Sequence, residues 1–185
     1  MKKINICLII ITSVLGVISA LSDLDRSIAF ILKDLSIVVT VSLTYIISKI
    51  FKVHISEYFS FIYIIFIFMA HYLGVIERFY GEFIYYDKIV HTLSGVLASY
   101  AAYLFLKAKG IKDTLLNIIF IISFTFLCAG MWEIFEFVCN IFFGGDAQKV
   151  VETGVDDTMW DIIVAFIGSL IFTIFITIKS RLIKN

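Results

Sequence analysis

The chain has 185 residues, no net charge at pH 7, a hydrophobic fraction of 61% and a mean hydropathy of +1.04. A soluble domain has about 45–50% apolar residues, and one of this size must still cover its surface with polar groups. The composition therefore excludes a soluble globular protein and predicts an integral membrane protein whose main partner is the lipid bilayer. The balanced charge gives no indication of a nucleic-acid partner.

Six apolar segments approach the roughly 20 residues that a membrane-crossing helix needs. In chain order they lie at about 4–22, 28–50, 58–76, 88–106, 115–138 and 159–178. They predict an all-α fold, a polytopic bundle of six helices that forms a single transmembrane domain over residues 1–185. Lys33 and Asp34 interrupt the second segment, so its helix either begins near Leu35 or carries this pair near its outer end. The first segment could instead be a cleaved signal peptide, because it follows two lysines.

The lysine and arginine residues of the loops predict the orientation. If the amino terminus is inside, ten of these residues lie on the cytoplasmic side and five on the other. Positive charges accumulate on the cytoplasmic side of membrane proteins. Both termini are therefore predicted to be cytoplasmic, in a multi-pass protein of the bacterial plasma membrane. The longest loop, about 139–158, then lies outside and carries Gly144-Gly145-Asp146 as a turn.

Histidine and carboxylate side chains of four predicted helices fall at one level, the outer third of the membrane. A helix rises about 1.5 Å per residue, which sets the depth of each residue. Ionisable groups at this depth usually face a bundle interior, a partner or a water-filled cavity. The set consists of His71 on the third helix, Asp87 and His91 on the fourth, Glu133 and Glu136 on the fifth, and Asp157 and Asp161 on the sixth.

Structural explanations remain open for several of these residues. Asp87 could cap the fourth helix, and Thr158 with Asp161 resembles a capping box. Asp156 is more typical of a solvated loop residue. Glycines on three of the helices are predicted to permit close packing. They are Gly95, Gly130 and Gly168.

An ion pair between helices is a further structural explanation for the fifth helix. Glu133 and Glu136 lie three residues apart and share a face. Either carboxylate could pair with Arg78 or with Lys88. The alternative is that both carboxylates belong to a functional site.

Three segments of the carboxyl-terminal half resemble the YjdF-like family of bacterial membrane proteins. They are YDKIVHTLSG (86–95), WEIFEF (132–137) and DDTMWDIIVAFIGS (156–169). The resemblance implies a helical bundle with an Asp-x-x-x-His pair, a Glu-x-x-Glu pair and an Asp-x-x-x-Asp pair. In this chain the implied positions are Asp87, His91, Gly95, Glu133, Glu136, Asp157 and Asp161. A weaker likeness to the VanZ-like proteins, associated with glycopeptide resistance, lies in the Asp-Lys-x-x-His start of the fourth helix.

A divalent metal is the first functional hypothesis, because one imidazole and several carboxylates suit Mg, Mn, Fe or Zn. The protein would be a metal-dependent enzyme that acts on a lipid headgroup or a lipid-linked envelope precursor. Glu133 or Glu136 could serve as its base. The candidate ligands are Asp87, His91, Glu133, Glu136, Asp157 and Asp161, with accessory roles open for His71 and Arg78.

Two other classes of function compete with the enzyme. In a cation or proton transporter or channel, the acids would form an ion path, which a homo-oligomer could complete. In a binding, sensory or resistance protein, the outer loop would contact an envelope component or a partner. The sequence does not select among these classes.

Overall fold

A computed structural model describes residues 1–22, 24, 28–143, 146 and 148–182. Within these ranges the chain is helical and has no β-strand, which confirms the all-α prediction. The helices are α1 Lys2–Ser22, α2 Ile28–Phe51, α3 Glu57–Ile67, a π-helix Phe68–Ile76, α4 Phe79–Glu82, α5 Tyr86–Ala108, α6 Thr114–Phe143, α7 Val150–Thr153 and α8 Asp156–Leu182.

Six stretches of the described residues are long and apolar enough to cross a membrane, and each predicted segment corresponds to one of them. They are Lys2–Ser22, Phe30–Phe51, Glu57–Ile76, Tyr86–Ala108, Thr114–Phe142 and Asp156–Lys179. The fifth is longer than predicted, because α6 continues to Phe143 into the expected outer loop. The chain divides into two compact units, Met1–Tyr86 and Asp87–Asn185.

In the amino-terminal unit, α1 and α2 pack in opposite directions with almost no space between their backbones. A β-carbon on Gly16 would collide with the side chain of Ile37, and it would lie 3.0 Å from the Asp34 carbonyl oxygen. The Ser19 hydroxyl donates a hydrogen bond of 2.8 Å to the buried Asp34 carboxylate. The helix therefore does not begin near Leu35, and Lys33 and Asp34 both lie within α2.

A second polar contact joins the first three helices at their other end. The Asn5 side chain is fully buried, and its amide donates hydrogen bonds to the Tyr45 hydroxyl (3.1 Å) and the Glu57 carboxylate (2.9 Å). Tyr45 also donates to Glu57 at 2.5 Å. Because a polar group in an apolar interior needs a partner, these three residues constrain how α1, α2 and α3 pack.

The expected third helix changes from α to π geometry at Phe68. The Tyr86 hydroxyl donates a hydrogen bond of 2.8 Å to the Met69 carbonyl, an acceptor within the π segment. A side chain that enters the backbone ladder in this way is a known cause of local helix distortion. Hydropathy could not predict the change, because the mean hydropathy of a segment is the same whether its backbone hydrogen bonds span four residues or five.

In the carboxyl-terminal unit, α5, α6 and α8 pack through small and polar residues spaced about four apart. Residues at this spacing share one helix face. The buried set comprises His91, Gly95 and Ser99 on α5, Thr125, Ala129 and Glu133 on α6, and Asp157, Asp161, Ala165, Ser169 and Thr173 on α8. The charged residues of this set lie at one end of the three helices, and the hydroxyl residues lie further along.

Two glycines bring α5 and α8 into backbone contact. A β-carbon on Gly95 would collide with the Ala165 carbonyl, and one on Gly168 would collide with the Thr92 carbonyl. The prediction of close packing is confirmed for both. It is wrong for Gly130, where a β-carbon would meet no described atom within 4 Å.

A layer of three hydroxyl groups joins the same helices further along. Ser99 donates a hydrogen bond of 2.8 Å to Ser169, and its oxygen lies 2.9 Å from the Thr125 hydroxyl. All three side chains are buried. Since hydroxyl groups in an apolar environment favour one another as partners, this layer fixes the register of α5, α6 and α8.

Replacing Gly95 by alanine should separate α5 from α8, because the new methyl group collides with backbone that cannot rotate away. We expect a loss of about 1–3 kcal/mol in the free energy of unfolding, measured by thermal or denaturant unfolding in mild detergent. Gly130→Ala is the matched control, since its methyl group enters open space. Equal stability of the two variants would contradict the close contact.

Candidate functional site

Lys88, in the first turn of α5, lies among three aspartates. Its Nζ is 2.6 Å from Asp157 Oδ1, 2.7 Å from Asp161 Oδ1 and 3.5 Å from Asp87 Oδ2. This arrangement arises because α5 and α8 begin at the same level and run in the same direction, with Gly95 against Ala165 further along. Asp157 and Asp161 are one turn apart, so both face α5.

His91 lies one turn beyond Asp87 and is buried. Its Nε2 is 3.5 Å from Asp87 Oδ1 and 3.8 Å from Asp161 Oδ1. Each of the three residues offers one ligand atom, and these atoms lie within 4.8 Å of one another. Ligands at about 2.0–2.6 Å from a shared cation have similar separations, so small side-chain movements would suffice to hold one.

The segment before α8 adds a second lysine. Lys149 Nζ is 3.0 Å from Asp87 Oδ2 and 3.6 Å from Asp157 Oδ1. The backbone at Lys149 is left-handed, with φ of 50°, and Asp146 caps the following α7 by accepting from the Val150 and Val151 amides at 2.7 and 3.0 Å. Partial burial alone would lower the pKa of Lys149, but the hydrogen bond and the charge of Asp87 outweigh burial and raise it. The predicted Gly144-Gly145 turn lies outside the described residues.

The two glutamates of α6 have different surroundings. Glu133 is buried, accepts hydrogen bonds from Thr158 and weakly from Gln148 (3.4 Å), and lies within electrostatic range of His91. Its Oε1 has no hydrogen-bond partner among the described residues. Glu136 is half-buried and accepts a hydrogen bond of 2.8 Å from the indole of Trp132. Of these two glutamates, only Glu133 therefore has a buried oxygen without a hydrogen-bond partner among the described residues.

The capping explanations do not describe the α5 and α8 aspartates. Thr158 is the third residue of α8, and Asp87 is the second residue of α5, so both lie inside their helices. Asp161 contacts Lys88 instead of a helix end. Asp156 is exposed, as expected of a solvated residue, but it is the first residue of α8 and does not lie in a loop.

His71 and Arg78 belong to the amino-terminal unit. The His71 ring contacts the Thr40 hydroxyl at 3.1 Å and the Lys33 carbonyl at 3.2 Å. Arg78 is exposed and has a left-handed backbone at the start of α4. Lys88, one expected partner of Glu133 and Glu136, pairs with the aspartates instead.

Three residues of this cluster were not predicted from the sequence as site residues: Lys88, Gln148 and Lys149. The position of Lys88 in the sequence could have indicated a site residue, since it lies three residues before His91 at the start of an otherwise apolar helix. Nothing in the sequence indicated Gln148 or Lys149, because a loop has no helical periodicity from which the direction of a side chain could be predicted. Their positions depend on the path of residues 148–154, which lead into α8.

The chain matches the model of the family described as predicted membrane protein (DUF2238) over residues 4–181. It belongs to this family. The resemblance to YjdF-like proteins is therefore confirmed, and it extends through the amino-terminal unit, where the sequence had matched only in being apolar. Neither a curated protein nor a solved structure matches the chain.

Replacing Lys88 by methionine should destabilise the metal-free protein, because Asp157 and Asp161 lose their shortest cationic contacts and Asp87 loses the longer of its two lysine contacts. We expect a loss of about 3 kcal/mol in the free energy of unfolding in the presence of a chelator. Lys112→Met, at an exposed loop position, should change stability by less than about 0.5 kcal/mol. Equal stability of the two variants would mean that Lys88 is not paired.

The raised pKa of Lys149 predicts a dependence of stability on alkaline pH. A lysine with a raised folded-state pKa contributes stability below its unfolded pKa of about 10.4, and this contribution disappears as pH rises through the folded value. The difference in unfolding temperature between wild type and Lys149→Met should therefore be constant up to about pH 10 and shrink above it. A difference that does not change with pH would contradict the ion pair with Asp87.

Proposed function

We propose that the carboxyl-terminal unit holds a divalent cation at Asp87, His91 and Asp161, and that the protein is a metal-dependent enzyme of the bacterial plasma membrane. Its substrate would be a lipid headgroup or a lipid-linked envelope precursor. The observation that carries the proposal is the convergence of one imidazole and two carboxylates near Glu133, whose buried Oε1 has no hydrogen-bond partner among the described residues.

The charge of the cluster supports a cation with two positive charges. Four carboxylates face two ammonium groups, which leaves an excess of two negative charges when all are ionised. Uncompensated buried charge is strongly destabilising, and a divalent cation would neutralise this excess. The carboxylates are Asp87, Glu133, Asp157 and Asp161, and the ammonium groups are Lys88 and Lys149.

The donor set fits the metals expected from the sequence. One nitrogen and two oxygens suit Mg, Mn, Fe or Zn, and three protein ligands leave positions free for a substrate. The cation would supply Lewis acidity towards a phosphoryl or carbonyl oxygen. The ligand atoms that lie within 4.8 Å of one another belong to Asp87, His91 and Asp161, so the proposed ligand set is narrower than the six residues first considered.

Glu133 is the proposed general base. A general base needs an acceptor atom that is not already hydrogen-bonded and that lies near the proton it removes. Glu133 Oε1 has no hydrogen-bond partner among the described residues. Thr158 and Gln148 engage this side chain and would hold the carboxylate in one orientation.

A membrane-surface substrate fits the aromatic residues near the cluster. Trp132 and Trp160 are both about half exposed, and they flank the helix ends that carry Glu133 and Asp161. Tryptophan is enriched where headgroups meet the hydrocarbon. With both termini cytoplasmic, this end of the helices faces outwards, where lipid-linked envelope precursors are exposed.

The packing below the charged residues argues against a transport path through this unit. Gly95 and Ala165 bring two backbones into contact there, and neither residue offers a polar side chain. A cation would have to pass this layer to reach the hydroxyl groups of Ser99 and Ser169. An enzyme or a binding site needs no such path.

Metal analysis of the purified protein tests the proposal. Wild type in mild detergent should contain close to one Zn, Mn or Fe per chain, or else unfold at a higher temperature when millimolar Mg²⁺ is added. His91→Ala and Asp161→Asn should both lose this property. Asp156→Asn is the matched control, since Asp156 is an exposed aspartate in the first turn of α8, the turn before Asp161.

The result that contradicts a metal site is equally specific. A wild type without bound metal, and with no thermal response to Mg²⁺, Mn²⁺ or Zn²⁺, would exclude it. The carboxylates would then serve only as ion-pair partners of Lys88 and Lys149, and a binding role of the outer loop would become the leading hypothesis.

A further inference from the structure

We propose that Lys88 is a tethered cation that competes with the divalent cation for Asp161 and shifts onto Asp157 when the metal binds. This inference rests on the proposed metal site. It assigns Lys88 a regulatory role, in which the ammonium group sets the affinity and the ion selectivity of that site.

Lys88 and the proposed metal require the same carboxylate oxygen. Asp161 Oδ1 is 2.7 Å from Lys88 Nζ, and the same atom is 3.8 Å from His91 Nε2. Repulsion between two cations grows as their separation falls, and it is weakly screened away from bulk water. The ammonium group and a metal therefore cannot both keep full contact with Asp161.

Asp157 provides a second position for the ammonium group. Lys88 Nζ is already 2.6 Å from Asp157 Oδ1 and 3.4 Å from the Asp157 carbonyl oxygen. Asp157 Oδ2 is buried and has no hydrogen-bond partner among the described residues. A lysine has three donors on a flexible stem, so a small rotation would exchange Asp161 for this vacant acceptor.

Lys149 does not provide the same competition. It is more exposed than Lys88, and its shorter contact is to Asp87 Oδ2. The Asp87 atom that lies near His91 is the other oxygen, Oδ1. Asp87 can therefore retain Lys149 on one oxygen and offer the other to a metal, whereas Asp161 Oδ1 must give up Lys88.

Competition by a tethered ammonium group also predicts selectivity. A tethered group has a high effective concentration at its site, and a monovalent ion brings no more charge than the ammonium group that it would displace. Na⁺ and K⁺ should therefore be excluded, whereas a divalent cation has enough charge to displace Lys88. The metal-free cluster stays partly neutralised, which keeps the unit folded before the metal binds.

Equilibrium binding of Mn²⁺ in mild detergent tests the inference, with titrations repeated in high Na⁺. The informative variant is the double substitution Lys88→Met with Asp157→Asn, which removes one positive and one negative charge and keeps the three proposed ligands. We expect it to bind Mn²⁺ at least about tenfold more tightly than wild type, because no cation must be displaced. Na⁺ should weaken Mn²⁺ binding more in this variant than in wild type.

Lys88→Arg is the charge-preserving control. The guanidinium group remains charged and engages carboxylates well, so Mn²⁺ should bind this variant no more tightly than wild type. Asp157→Asn alone removes part of the second position of Lys88, and it should weaken Mn²⁺ binding relative to wild type.

The outcomes separate the two proposals. If wild type binds Mn²⁺ in a His91-dependent manner and the double variant binds it no more tightly, the tethered-cation inference is wrong and the metal site stands. If neither wild type nor the double variant binds Mn²⁺, both proposals fail. Tighter binding by the double variant, with wild-type affinity in Lys88→Arg, supports the inference.

Discussion

The backbone contact of α5 with α8 determines where the charged groups of the carboxyl-terminal unit lie. Gly95 and Gly168 allow this contact because neither has a side chain to separate the helices. With the two axes this close, the first turns of α5 and α8 face each other. Lys88 then lies against Asp157 and Asp161. A larger residue at either glycine would separate the charges as well as the helices.

Ionic contacts then determine which chemistry is available at this level. Desolvated carboxylates need compensation, and Lys88 and Lys149 provide part of it. The remaining negative charge and the Glu133 oxygen, which has no hydrogen-bond partner among the described residues, support the proposed divalent cation. Further along the helices, hydroxyl groups on α5, α6 and α8 contact one another, and they fix the register without carrying charge. The charged groups thus lie at one end of α5, α6 and α8, and the hydroxyl groups that fix the helix register lie further along the same helices.

The amino-terminal unit buries its polar residues differently. Asn5, Tyr45 and Glu57 form one group, and Ser19 and Asp34 form another. The first group links α1, α2 and α3, and the second links α1 and α2, so their main effect is to position these three helices. His71 lies in the π segment with hydroxyl and carbonyl partners. These contacts explain its burial without a metal.

The sequence alone determined the six spans, the all-α class, the family and the paired residues Asp87–His91 and Asp157–Asp161, because hydropathy and helical periodicity are local properties. Only the tertiary structure decided which faces meet. It brought Lys88 among the aspartates, gave Glu133 and Glu136 different surroundings, and left Gly130 outside any close packing. The physical reason is that the residues of one helix define its own faces. Which face of another helix it meets depends on how closely the two backbones approach, and in this unit Gly95 and Gly168 set that distance.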